Sequence, residues 1–275
     1  VTGNAALTLN GGISATAGIL SSTGGTLTLP AGANIVSGAK FITSGTTIQL
    51  GGSLAVADSW SSSNTNILLT TDNASLSSTV PLSLLSLETN GFDFTLGSET
   101  SDLTIENAFA LSGNERLSTQ GADLIFESSA DISVGSTLDA SGGGKLEFQQ
   151  GGTDNGTINA ENATFKIGSA YTVSGTLKTN SSTNWDLGNS NLDLSGGTFA
   201  LGGNVTLNQI LTDNQTIFKL AEDSTVTRNQ GFTLGGLYLD NNSTFTLGSA
   251  TTDLTLDLGD SSDNGTVSGL ASGTL

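Results

Sequence analysis

The chain has 275 residues, with 37 Gly, 2 Pro, no Cys, Met or His, 7 basic against 25 acidic residues and a formal net charge of −18. Without Cys or His there is no disulfide, zinc or haem framework and no Ser-His-Asp or Cys-His catalysis. The cations Lys40, Arg116, Lys145, Lys166, Lys178, Lys219 and Arg228 stand singly, which excludes the clustered positive surface that nucleic acid requires.

Small turn formers beside Leu, Ile, Val and Phe predict many short strands and no helical composition. From the start, Ala6-Leu7-Thr8-Leu9 and Leu27-Thr28-Leu29 read as strands split by the Gly11-Gly12 and Gly24-Gly25 turns. Lys40-Phe41-Ile42, Ile48-Gln49-Leu50 and Leu54-Ala55-Val56 follow. Leucines cluster between Ser75 and Glu88, but Pro81 and the interleaved serines argue against a helix there; at most one helical turn is expected, within Ala108 to Gln120.

Beyond Asp123, apolar-x-apolar triplets come quickly: Leu124-Ile125-Phe126, Ile132-Ser133-Val134, Leu146-Glu147-Phe148, Phe165-Lys166-Ile167, Phe199-Ala200-Leu201, Val205-Thr206-Leu207 and Phe218-Lys219-Leu220. Period-two alternation puts their outer residues on an inner face and the middle residue toward water.

Internal matches give the architecture. Phe94 to Thr104 recurs at Phe245 to Thr255 with two changes, 151 residues on. Trp60 and its Asn64-Thr65-Asn66-Ile67 follower resemble Trp185 and Asn189-Ser190-Asn191-Leu192, 125 on; Asp154-Asn155-Gly156 recurs at Asp263-Asn264-Gly265, 109 on; Leu7 to Ser14 weakly matches Leu111 to Ser118, 104 on. These lie near seven, six, five and five times about 21, the size of one β-solenoid coil. The prediction is an all-β, right-handed parallel β-helix with irregular coils, a single β-solenoid domain over 1–275, and not an array of immunoglobulin-like sandwiches, which would show longer strands and linkers. The missing methionine adds the expectation that the chain is a segment or processed subunit of a larger secreted protein.

No catalytic, cofactor-binding or metal site is predicted, and no cofactor. A polygalacturonase-type Asp-Asp pair with Gly-His-Gly is lacking, and Arg116 and Arg228 read as ordinary surface residues. The acidic loop 257–265 spaces its acids unlike an EF-hand and reads as a solvated turn. Trp60 and Trp185 suit either carbohydrate stacking or corner packing, with packing preferred. Thr26-Leu27-Thr28, Thr225-Val226-Thr227 and Thr244-Phe245-Thr246 are too irregular for an ice-binding column, and their middle residues look like core. Asn-x-Ser/Thr acceptors are frequent, as chance predicts in so Asn/Thr-rich a chain: Asn73, Asn155, Asn162, Asn180, Asn204, Asn214, Asn241, Asn242 and Asn264.

The Gly-punctuated triplets Gly25-Thr26-Leu27-Thr28-Leu29, Gly97-Ser98 and Gly175-Thr176-Leu177 resemble, in style, the passenger regions of bacterial autotransporters and filamentous-haemagglutinin-like adhesins. That resemblance implies an extracellular, cell-surface, non-enzymatic structural or adhesive role. Its expected partners are further copies joined through the solenoid ends into a homo-oligomer or filament, and host-surface or matrix glycans; no nucleic acid and no membrane span are expected. The alternative is a polysaccharide-binding or polysaccharide-degrading β-helix module.

Overall fold

The computed structural model describes residues 5–57, 59–72, 74–97, 102–194, 196–206, 216–227, 232–239, 243–247 and 254–256. Apolar triplets are too short to bury a face alone, so they do so by stacking. Each coil lends one strand to each of three faces: Ala6–Thr8, Ile13–Ala15 and Gly18–Thr23 in the first coil, then Thr26–Leu29, Ala33–Ile35 and Ala39–Ser44 in the second. Except at the breaks described below, strands pair in parallel with their counterparts one coil on, as Leu7 with Leu27, Ile13 with Ala33 and Leu20 with Phe41. Partners are from 19 residues apart (Ile158 and Leu177) to 23 apart (Phe94 and Leu117), which brackets the expected repeat. The described residues contain no helix, and parallel pairing throughout rules out sandwiches. Between Ala108 and Gln120, where the sequence allowed at most one helical turn, the chain forms the strands Phe109–Leu111 and Arg116–Ser118.

Parallel register stacks like on like. Leu103, Leu124, Leu146, Phe165 and Trp185 form one inward column of the third face. On the first face the column Phe109, Ala130, Gly152 and Tyr171 narrows to small residues in its middle. That space admits Phe126 and Phe148 from the third face, completing a row of rings: Phe109 to Phe126 at 5.0 Å, Phe126 to Phe148 at 5.3 Å and Phe148 to Tyr171 at 4.4 Å. Gly152 is required there twice over, with φ of +144° and a Cβ position 2.0 Å from the Ala130 carbonyl oxygen.

The corners stack too. Where the second face meets the third, the N–H groups of Ala122, Gly143 and Ala163 donate to the carbonyls of Thr119, Ala140 and Ala160, and Gln120 and Asn162 take positive φ. Acidic residues serve as ties between coils: the carboxylates of Asp93, Asp123 and Asp131 accept from the backbone N–H of Arg116, Lys145 and Thr153, each at 2.7–2.9 Å. These carboxylates serve strand amides that the ladder itself leaves unpaired.

The three faces differ in continuity. Among the described residues the second is one sheet running from Ile13–Ala15 to Gly236–Leu239, whereas the first divides into two 5-stranded sheets and a pair, Phe232–Leu234 with Leu254–Leu256, and the third into a 3-stranded and a 6-stranded one. After Asn184–Asp186 the third face resumes with Gly203–Thr206, which pairs with Ser224–Thr227 beyond a register shift at Leu201/Gly203. Along the second face the longest intervals are Leu54 to Leu76 at 22, Phe94 to Leu117 at 23 and Leu177 to Phe199 at 22. Each coincides with a ladder break: between Trp60–Ser61 and Leu82–Leu84, between Ser86–Glu88 and Phe109–Leu111, and between Asn184–Asp186 and Gly203–Thr206. The breaks thus accompany a surplus residue in the coil, the solenoid's counterpart of a bulge, although Leu124 to Leu146 and Ala130 to Gly152 are also 22 apart with their ladders intact.

The repeats separate into two kinds. Trp60 and Trp185 both lie on the third face, and Leu7 and Leu111 both on the first, so those matches count whole coils. Phe94, however, pairs with Ala74 on the second face, while Phe245 pairs with Ser224 on the third. The near-identical stretch therefore sits one face out of phase, and it codes for a strand-corner-strand unit that fits any corner. The match at 263–267, the loop 257–265, Leu207, Arg228, and the acceptors Asn73, Asn214, Asn241, Asn242 and Asn264 lie outside the described residues.

One triplet is misassigned from its alternation. The strand Ala130–Ile132 ends before Val134, which is 76% exposed in a turn closed by Ser136 N–H donating to Ser133. Gly135 has φ of +84°, so the chain turns there and the period of two ends with it.

Candidate binding grooves

Two of the ladder breaks open into concavities. The larger, about 610 Å³, lies at the first-face break and is lined by Asn66, Ser86, Glu88, Asn90, Asn107 and Ser112 among others. Its wall is set by Ser86 Oγ donating to Asn66 Oδ1 at 2.8 Å. Its rim is set from beneath by Glu115, buried at 1% exposure, whose carboxylate accepts from Thr89 Oγ1 at 2.6 Å, Ser112 N–H at 2.8 Å and Gly91 N–H. One carboxylate thereby clamps the same corner in two successive coils.

The smaller groove, about 360 Å³, opens at the third-face break and is lined by Thr183, Asn184, Trp185, Asp186, Leu187, Gly188, Asn204 and Thr206. Glu222 reaches back across two coils to accept from Ser181 N–H at 2.9 Å, passing over Gly202, where a Cβ would lie 3.0 Å from its Oε2. That strap fixes the corner from which the groove strand emerges.

The two tryptophans, equivalent in the coil, have different surroundings. Trp60 is sealed at 8% exposure against Phe41, and its Nε1–H donates to Thr43 Oγ1 at 2.9 Å. Trp185 is half-buried between Phe165 and Phe199, which meet it at interplanar angles of 68° and 77°. It lines the open groove, and its buried Nε1–H has no hydrogen-bond partner. Packing accounts for Trp60, as expected, but for only part of Trp185.

Other candidates resolve into structure. Arg116 is exposed and pairs with Asp139, whose carboxyl is drawn below its ordinary value by Ser141 and Arg116 despite the opposing effect of burial. Leu27 and Val226 are buried, and Phe245 packs partly against the core, so the Thr-flanked triplets present their middle residues inward. On the outer third face, Glu147 bridges Lys145 at 3.0 Å and Lys166 at 3.2 Å. Burial opposes ionisation of both Lys145 and Glu147, yet the pairing prevails, holding the lysine up and the carboxyl down. Among the described residues no three His, Cys, Asp or Glu side chains group as metal ligands, and no helix is long and apolar enough to cross a membrane.

Sequence reading missed Asp154. It occupies an inward column between Ile132 and Val173, fully buried, with Oδ1 accepting from Gly156 N–H at 2.9 Å and Oδ2 unpartnered. Burial lifts its pKa to about 7. The Tyr171 hydroxyl is likewise buried without a partner, and burial raises its pKa. Both groups are sealed from any groove ligand. Set against known protein-family models, curated proteins and solved structures, the chain matches none.

Proposed function

We propose that the chain is a non-enzymatic structural or adhesive β-solenoid of an extracellular surface, of the autotransporter-passenger or filamentous-haemagglutinin kind, which joins end to end into a filament. The observation that carries this reading is the stack itself: short strands pair in parallel from coil to coil around one core that no single coil could bury, an architecture that grows by adding coils. Electron microscopy of native material is expected to show rods joined at their ends. A monomer by light scattering across a wide concentration range would remove the filament from the proposal.

The two grooves favour a second reading, as a polysaccharide-binding module. Its degradative variant lacks support: the described lining of each groove holds one carboxylate, Glu88 in one and Asp186 in the other. Glycoside hydrolysis ordinarily uses two.

A further inference from the structure

We propose that the smaller groove is a subsite for one neutral sugar ring, floored by Trp185 and gripped by Asn184, Asp186, Asn204 and Thr206. The inference deepens the adhesive reading by naming a ligand class, and it stands or falls independently of end-to-end assembly.

Three observations carry it. First, the groove exists because the third-face ladder is broken between Asn184–Asp186 and Gly203–Thr206. At about 360 Å³ it falls at the small end of ligand sites, which run from roughly 300 to 1,000 Å³, enough for one ring and not for a long glycan segment. Second, its chemistry suits a polyol. Two carboxamides and the Thr206 hydroxyl supply donors and acceptors around an indole that neither Phe165 nor Phe199 overlies in parallel. Third, the equivalent indole shows what a purely structural tryptophan looks like in this fold. Trp60 is closed over and hydrogen-bonded, whereas Trp185 keeps an orphan N–H beside an open groove. A buried donor without a partner is costly, so packing alone does not account for this indole.

Charge selects the kind of sugar. Asp186 lies 3.8 Å from Lys166, which Glu147 also holds at 3.2 Å, so the cation at the groove is already neutralised. With a net charge of −18 over the chain, uronic or sulfated rings are repelled, and the partly compensated Asp186 acts as a hydrogen-bond acceptor for hydroxyls.

The test uses the full chain carrying Trp60→Phe, which leaves Trp185 as the single indole. Linear hexasaccharides of β-1,4-glucose, α-1,4-glucose and β-1,4-mannose are titrated against its fluorescence, with glucosamine and galacturonate oligomers alongside. At least one neutral hexasaccharide is expected to shift the emission saturably, and Asn204→Ala or Asp186→Ala to weaken its binding about tenfold. Calorimetry on the unsubstituted chain gives the same comparison if Trp60→Phe fails to fold. No binding of neutral probes up to about 10 mM, binding confined to the charged oligomers, or affinity unchanged in both groove variants would overturn the proposal.

Discussion

Asp154 is a charge-capable residue in a column meant for aliphatics, and its cost depends on pH. The folded chain keeps its carboxyl protonated up to about pH 7, while in the unfolded chain it ionises near pH 3.9. Its contribution is therefore intact below the lower value and lost progressively as pH rises to the higher, a difference of about 4 kcal/mol at most. Asp139 and Glu147, with depressed values, act oppositely and lose their stabilisation only in acid. Asp154→Asn keeps the shape and the Gly156 contact. Urea unfolding at pH 8 is expected to find it more stable than the parent by about 2–4 kcal/mol, with the advantage shrinking toward pH 4. Glu147→Ala leaves Lys145 and Lys166 facing one another. It is expected to cost about 2 kcal/mol, partly recovered in 1 M salt by screening, as thermal unfolding in the two buffers would report. Neither Asp154 nor Glu115 could be placed from sequence, because nothing in Asp154-Asn155-Gly156 or Asn114-Glu115-Arg116 distinguishes an inward acid from one in a solvated turn. Only the three-dimensional path shows that each acid turns inward beside a corner.

At the scale of a strand or corner, most of the pattern was legible. Leu146-Glu147-Phe148 and Phe165-Lys166-Ile167 alternate as written, since parallel stacking rewards period two directly. Val134 was misread because alternation continues formally through Gly135 while the backbone does not. Glycines carry the same lesson about context. Gly152→Ala places a Cβ against the Ala130 carbonyl and is expected to cost about 3 kcal/mol or more in thermal unfolding. Gly11→Ala, with no atom within 4 Å of its Cβ, is expected to leave the melting temperature unchanged. Coil length is the other signal present in the sequence and easily passed over. The 23-residue interval from Phe94 to Leu117 spans the first-face break. Deleting Ala108, which lines the groove there, is expected to let Ser86–Glu88 and Phe109–Leu111 pair, seen as slower amide exchange in both strands. Unchanged exchange would mean that side chains, and not coil length, keep the ladder open.

At the scale of the whole molecule, the repeat period was readable to within two residues, yet the phase of its most obvious duplicate was not. An interval of 151 residues is closer to seven coils and one face than to seven coils, and nothing in the stretch itself distinguishes one corner from another. Stability in such a stack is a sum over nearest neighbours. A strand paired on one side only at a ladder break, such as Ser86–Glu88, is expected to exchange its amides faster than the strands around Leu124 and Leu146, as hydrogen exchange resolved by segment would show.

The unequal continuity of the faces gives the rod a mechanical direction. Hydrogen bonds between coils run along the axis, so a pull on the two ends loads the ladders in series. The second face transmits that load through one uninterrupted sheet, whereas the first and third are notched at different heights. Flexing that stretches a notched face widens its grooves, while the continuous face resists extension as a backing strip does. The molecule is thus compliant in some bending directions and stiff in others, and a ligand wedged into a notch would stiffen the rod against the closing stroke.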